Sequence, residues 1–186
     1  MLRPIALILV CCLWACSDSQ DAKAPAASDP VDQAQQRIEQ GDVAPAWTGV
    51  NLVDGATLSF PHVLDDKPAV LLFWATWCPY CKAFMPAAER IQADYAGRVK
   101  IITFNAKERG IGDPKAYIDT LDFPLVAIAD ADEIAEAYGV KFIPGLMVVD
   151  GQGSVAYRRG WTDLPAGTKV AEQWENEVRT ALDRVL

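Results

Sequence analysis

Histidine is almost missing from this chain of 186 residues, His62 being the only one. Of its five cysteines, three (Cys11, Cys12 and Cys16) crowd into the first sixteen positions, which leaves Cys78 and Cys81 for the body of the protein. A structural zinc site takes four Cys or His ligands, so this complement excludes one and no metal is expected. Positive charge is also short: 17 Lys and Arg stand against 25 Asp and Glu, a net charge of −8. Nucleic-acid binding through counterion release wants a basic face, and docking on anionic lipid wants basic clusters; the composition argues against both. A membrane-spanning helix needs about twenty apolar residues, and the apolar stretch at 4–15 has twelve. The loop at 105–113 lacks the Lys-Ser/Thr ending of a phosphate loop, so Gly110 and Gly112 read as connector glycines. His62, beside Pro61, reads as a solvated turn residue, and no segment repeats.

What is present begins with an address. Met1-Leu2-Arg3 followed by the apolar stretch has the form of a secretory signal peptide. Leu13-Trp14-Ala15-Cys16 resembles the lipobox of bacterial lipoproteins, with Trp14 bulkier than the usual second residue. That resemblance implies cleavage after Ala15, acylation of Cys16 and loss of Cys11 and Cys12; ordinary cleavage with a free Cys16 is the alternative. Ser17, next to the acylated position, implies the outer membrane over the inner, on the periplasmic face. From 17 to 30 the composition is Ser, Asp, Ala and Pro, too polar to offset its ordering entropy. Residues 31–40 suit a short helix stopped by Gly41. The organisation expected is therefore a signal peptide at 1–15, an acylated cysteine, tether and short helix at 16–44, and one domain at 45–186.

Within the domain, runs at 47–53 and 56–60 flank Asp54-Gly55, a hairpin signal. The unbroken apolar run at 69–75 suits a strand buried on both faces. Pro79 then opens a helix whose apolar face carries Tyr80, Phe84, Ala87, Ala88, Ile91 and Tyr95, with Pro86 inside it. Strands follow at 99–104 and 125–129, and helices at 113–121 and 132–138. A second hairpin spans 146–149 and 154–158, and Val170, Trp174, Val178, Leu182 and Val185 mark an amphipathic C-terminal helix. Strands alternating with helices, with antiparallel hairpins at both ends, predict an α/β fold around a mixed sheet. Arg158-Arg159 reads as a solvated pair at a strand edge, and Trp161 and Trp174 as packing residues.

The chemistry lies in Trp77-Cys78-Pro79-Tyr80-Cys81. Two cysteines two residues apart, after a buried strand and opening a helix, form the pattern of a redox pair. At a helix N-terminus the dipole favours an anion, and thiolates there have pKa values lowered from about 8.5 to about 3.5–7.5. Cys78 is the expected attacker and Cys81, one turn on and shielded, the resolver. Lys82 adds positive charge beside them, and Trp77 and Tyr80 add apolar surface. A zinc half-site, an inert structural disulfide and a pair of free thiols are the other readings of the same spacing.

These residues resemble the thioredoxin superfamily and, within it, the membrane-tethered TlpA/ResA-type thiol–disulfide oxidoreductases, over about 45–186. The resemblance rests on Phe73-Trp74-Ala75-Thr76-Trp77-Cys78-x-x-Cys81, on Pro86, on Tyr138-Gly139-Val140-Lys141-Phe142-Ile143-Pro144, and on Val148-Val149-Asp150-Gly151 with Gly160. It implies a thioredoxin-like three-layer sandwich with a central mixed sheet and an N-terminal hairpin extension. It also implies a cis Pro144 that exposes the Ile143 backbone to an extended substrate, in a groove with Trp77, Pro79, Tyr80 and Gly145. The activity implied is reduction of protein disulfides by a monomer with no cofactor beyond the Cys78/Cys81 pair, recharged by a membrane electron donor. An oxidase or isomerase on the same fold stays open, as does a binding or copper-delivery module. Thioredoxin-like copper carriers use Cys-x-x-x-Cys with a His, and peroxidases use Pro-x-x-x-Thr-x-x-Cys; neither pattern is here.

Three positions depart from the family pattern. Leu72 stands where thioredoxins carry a buried Asp, and Phe84 where ResA-type reductases carry a Glu. Gly145 follows the proline where Thr is commoner, which is expected to widen the groove. The Pro79-Tyr80 pair resembles glutaredoxin, implying a potential less reducing than thioredoxin's roughly −270 mV.

Overall fold

Six apolar residues in a row, none with a polar atom except one indole, leave β3 (Ala69–Trp74) no solvent face, and all six are fully buried. In the computed structural model, which describes residues 38–160 and 169–186, β3 is the middle of a five-stranded sheet. With β4 (Lys100–Asn105), β5 (Val126–Ile128), β6 (Gly145–Val149) and β7 (Val155–Arg158), the order is β5-β4-β3-β6-β7. The first three strands run parallel, and β6 and β7 antiparallel to their neighbours. The signal segment, Cys16, the tether and Trp161 lie outside the described residues. So does most of the expected helix at 31–40, whose last three residues are not helical.

Because side chains alternate along a strand, β3 feeds two cores. Val70, Leu72 and Trp74 join α1 (Pro79–Asp94) and α4 (Val170–Val185) on one face; Ile118 of α2 (Pro114–Ile118) belongs to the same cluster. Ala69, Leu71 and Phe73 join α3 (Asp132–Ala137) and the hairpin of β1 (Trp47–Val50) and β2 (Thr57–Phe60) on the other. Helices on one face, the sheet, and a helix with the hairpin on the opposite face make the expected three layers. On the second face Phe73 stacks on Phe104 at 4.5 Å, and Trp47 meets Phe104 edge-on at 5.3 Å. Asp113 caps α2 by accepting from the Ala116 N–H at 3.0 Å, as its place before Pro114 predicts. A 3-10 turn at His62–Leu64 and a cis Phe60–Pro61 bond were not signalled by the sequence; His62 is exposed.

Both edges of the sheet are covered. Beside β5, Leu52 donates to the Ala127 carbonyl at 2.6 Å, and the buried Asn51 side chain accepts from the Ala127 N–H. Beside β7, residues 41–44 run antiparallel: Gly41 donates to the Val155 carbonyl at 2.8 Å and Val155 to that of Asp42 at 2.9 Å. α4 is held to α1 by charge. Glu175 accepts from Arg90 and from Arg179 Nε at 3.0 Å, and Arg179 also reaches Asp94 at 2.7 Å.

Candidate active site at the start of helix α1

α1 begins directly after β3, so the chain leaves the buried centre of the sheet and turns into a helix within four residues. Cys78 is the N-cap, with extended backbone, and Pro79 the first helical residue. Its sulfur does what a cap oxygen does: the Cys81 N–H donates to Cys78 Sγ at 3.1 Å. The Cys78 N–H in turn donates to the Ala75 carbonyl at 3.1 Å. Cys78 and Cys81 are joined as a disulfide, with Cα atoms 5.3 Å apart. In the reduced pair the same amide and the helix N-terminus favour a thiolate at Cys78.

The two sulfur residues are almost equally hidden, Cys81 at 0% and Cys78 at 2% exposure. The shielding expected of the resolver therefore extends to its neighbour, and an incoming sulfur meets a narrow opening. Exposed Pro79 and Tyr80 lie on the solvent side, Tyr80 at 58%, with its ring edge-on to the buried Trp174 at 6.4 Å. Lys82 turns its ammonium onto the Tyr117 ring, 5.3 Å from the centroid. Leu72 and Phe84 are fully buried in the same cluster as the pair, so neither family carboxylate position holds a proton acceptor.

The Ile143–Pro144 bond is cis, and half-buried Ile143 packs on the cluster that contains Cys78 and Cys81. The Pro144 carbonyl is taken by Arg159, from Nη2 and from Nε at 3.1 Å. Arg159 is only 7% exposed and lies 4.6 Å from the Trp174 ring centroid and 4.9 Å from that of Phe142. Burial pulls its guanidinium below the ordinary value, against Tyr157 and Glu177, which push it up. Arg158 donates to the Tyr138 and Gly139 carbonyls, each at 2.8 Å, closing the end of α3. The expected solvated arginine pair is thus corrected: both guanidinium groups serve backbone carbonyls.

Gly145 also needs correction. A Cβ there would meet Val140 Cγ1 at 2.8 Å and Phe73 Cβ at 3.2 Å, both on the sheet face opposite the disulfide. The missing side chain makes room for α3 and the turn after it, and does not widen the groove.

The loop at 105–113, read from sequence as a plain connector, is part of the site. The Glu108 carboxylate accepts from the Thr76 N–H at 2.8 Å, the Thr76 hydroxyl at 2.5 Å and the Asn105 side-chain amide at 2.9 Å. Burial alone would raise the Glu108 carboxyl, but these donors outweigh it and hold the group below its ordinary value. The Trp77 indole N–H donates to the Lys107 carbonyl at 2.7 Å, and Arg109 lies over the Trp77 ring, 3.7 Å from its centroid. Gly112 passes so close to Thr76 that a Cβ would collide with its side chain. The loop therefore grips the two residues that lead into Cys78.

Comparison with known proteins places this geometry. The AhpC/TSA family model matches residues 40–158. The thioredoxin-like protein YneN of Bacillus subtilis is 27% identical over 143 residues, 76% of this chain and 79% of that one. The thiol–disulfide oxidoreductase ResA of Bacillus thuringiensis is 32% identical over 124 residues, 65% of this chain and 69% of its own. Among solved structures, a thioredoxin-family thiol:disulfide interchange protein from Chlorobium tepidum superposes with a TM-score of 0.58 at 24% identity. That superposition covers 77% of this chain and 98% of the other.

Proposed function

The chain belongs to the AhpC/TSA family as a thioredoxin-fold thiol–disulfide oxidoreductase, and from that premise we propose that it reduces disulfides in exported proteins through Cys78 and Cys81. The observation that carries this reading is the disulfide at the N-terminus of α1, its first sulfur already bonded to the Cys81 amide. In the reduced protein the Cys78 thiolate attacks one sulfur of a partner's disulfide. A Cys78–partner bond forms while the partner's other sulfur leaves as a thiolate and takes a proton from solvent. Cys81 then gives up its proton, its sulfur attacks Cys78 Sγ, and the partner's second sulfur departs. Two electrons have passed to the partner, and the Cys78–Cys81 bond is restored. A dithiol donor must reopen it for the next cycle.

With Leu72 and Phe84 in place of the family carboxylates, solvent or the departing partner thiolate receives the Cys81 proton. The resemblance to ResA-type reductases supports the reducing direction. The signal pattern at 1–15 and the lipobox at Cys16 support export and a lipid anchor on the periplasmic face, with Ser17 favouring the outer membrane. Among the described residues no helix is long and apolar enough to cross a membrane. A peroxidase reading lacks its Pro-x-x-x-Thr-x-x-Cys pattern here: Ala75 stands three residues before Cys78, and Leu71 seven before.

The test is to equilibrate the protein in glutathione buffers and trap free thiols. A potential near or below roughly −230 mV fits a reductase; one above roughly −170 mV reverses the direction to oxidase or isomerase. Cys78→Ser should abolish exchange and Cys81→Ser should accumulate mixed disulfides. Full turnover in either variant removes the assignment.

A further inference from the structure

A chain with net charge −8 carries an exposed cation beside its disulfide, on the ring of the residue before Cys78. Arg109 is exposed, and among the described residues its guanidinium has no carboxylate partner; its contact is the Trp77 face. Carboxylates around the loop are engaged. Glu108 is bound by Thr76 and Asn105, Asp113 caps α2, and Asp132 accepts from the Lys107 N–H at 2.8 Å. Arg109 is also held in place from below. Its ring platform cannot swing away while the indole N–H is bonded to the Lys107 carbonyl, and its backbone belongs to the loop that Glu108 and Gly112 press onto Thr76. A guanidinium stacked by one face keeps its N–H edge free for a planar carboxylate, which it takes through two parallel hydrogen bonds. Lys82, four residues after Cys78, is also exposed and has no carboxylate ion pair among the described residues; its ammonium lies over Tyr117.

We propose that Arg109, laid on Trp77, is a substrate-recognition residue of this site and selects partner disulfides whose cysteine is flanked by Asp or Glu. The proposal rests on the oxidoreductase reading and deepens it by naming the substrate class. Sitting on the residue before Cys78, Arg109 meets a side chain next to the partner's cysteine while the mixed disulfide forms. Exposed ion pairs have a modest effect, so the preference is expected to be a few-fold.

The experiment uses the full reduced chain and three peptide disulfides, identical except for Asp, Ala or Lys on each side of the cysteine. The rate constant of the first exchange step is followed by quenched-flow thiol trapping. The Asp peptide should react about threefold faster than the Ala peptide, and the Lys peptide about threefold slower. Arg109→Glu should invert the order. Arg98→Glu, beyond the far end of a sixteen-residue helix about 24 Å long, should keep it. Equal rates for the three peptides, or an Asp preference that survives in Arg109→Glu, overturn the proposal. A chain that reduces hydroxyethyl disulfide and the Ala peptide but shows no order loses only the role of Arg109. A chain that reduces none of them loses the oxidoreductase reading itself.

Discussion

Replacing Glu108 by Ala removes the acceptor that ties the loop at 105–113 to the active-site segment. Four donors lose it: the Thr76 N–H, the Thr76 hydroxyl, the Asn105 amide and, at 3.4 Å, the Arg109 N–H. Hydrogen bonds to a charged group contribute about 1.5–3 kcal/mol each when desolvated. Here Thr76 is buried but Glu108 is only half-buried, so water replaces part of the loss. A net cost of about 2 kcal/mol follows, equivalent to a melting temperature about 4–8 °C lower in a protein of this size. The sign of the pH dependence is fixed by the lowered Glu108 carboxyl. A depressed acid contributes fully above its ordinary value of about 4.3 and loses that contribution as pH falls through its lowered folded-state value. The gap between wild type and Glu108→Ala should therefore be complete at about pH 7 and shrink towards about pH 3. Thermal melts of both proteins at the two pH values measure it, and Thr76→Val supplies the second arm of a double-mutant cycle, with a coupling of about 1 kcal/mol. A gap that does not change with pH would refute the carboxylate clasp. So would a Glu108→Ala protein that melts with wild type.

Two other perturbations follow from the packing. Gly145→Ala forces a methyl group against Val140 Cγ1 and Phe73, and overpacking of this kind costs about 1–3 kcal/mol. Urea unfolding should show that loss, with partial recovery when Val140→Ala is added; an unchanged midpoint would mean that α3 yields freely. Burial raises the Glu175 carboxyl, but Arg90 and Arg179 outweigh burial and hold it below its ordinary value. Glu175→Gln should therefore destabilise by about 1–2 kcal/mol near neutral pH, a buried-pair loss reduced because Arg90 is half exposed. The difference should fade as pH falls below the carboxylate range, and equal urea midpoints at neutral pH would show that the clasp between α1 and α4 contributes nothing.

Strand β3 and the helix that follows Cys78 were legible in the sequence because each carries its own local signal, an unbroken apolar run and a proline in the first turn. The disulfide pair was legible for the same reason. The role of Glu108 was not, since Asn105-Ala106-Lys107-Glu108-Arg109 has no periodicity and acts on Thr76, 32 residues away in the chain. Gly145 misled because a missing side chain has a direction only once strand register is known: its Cβ vector points to Phe73, across the sheet from Cys78. Arg159 misled through charge. A guanidinium near a strand end reads as solvated until Trp174, from the last helix, closes over it. Leu72 and Phe84 could be read as departures in advance because they depend only on spacing from Cys78.

The strap at 41–44 sits at the end of the body opposite the disulfide. It pairs with the start of β7, and β7 pairs with β6 so that Val155 lies opposite Val149 while Arg158 lies opposite Met147. The strap is therefore at the end of the sheet where β3 begins, about 17 Å along the strand from the end where Cys78 emerges. A force applied at the strap is therefore borne at the rear of the body, while the reactive mouth opens at the far end of the same central strand.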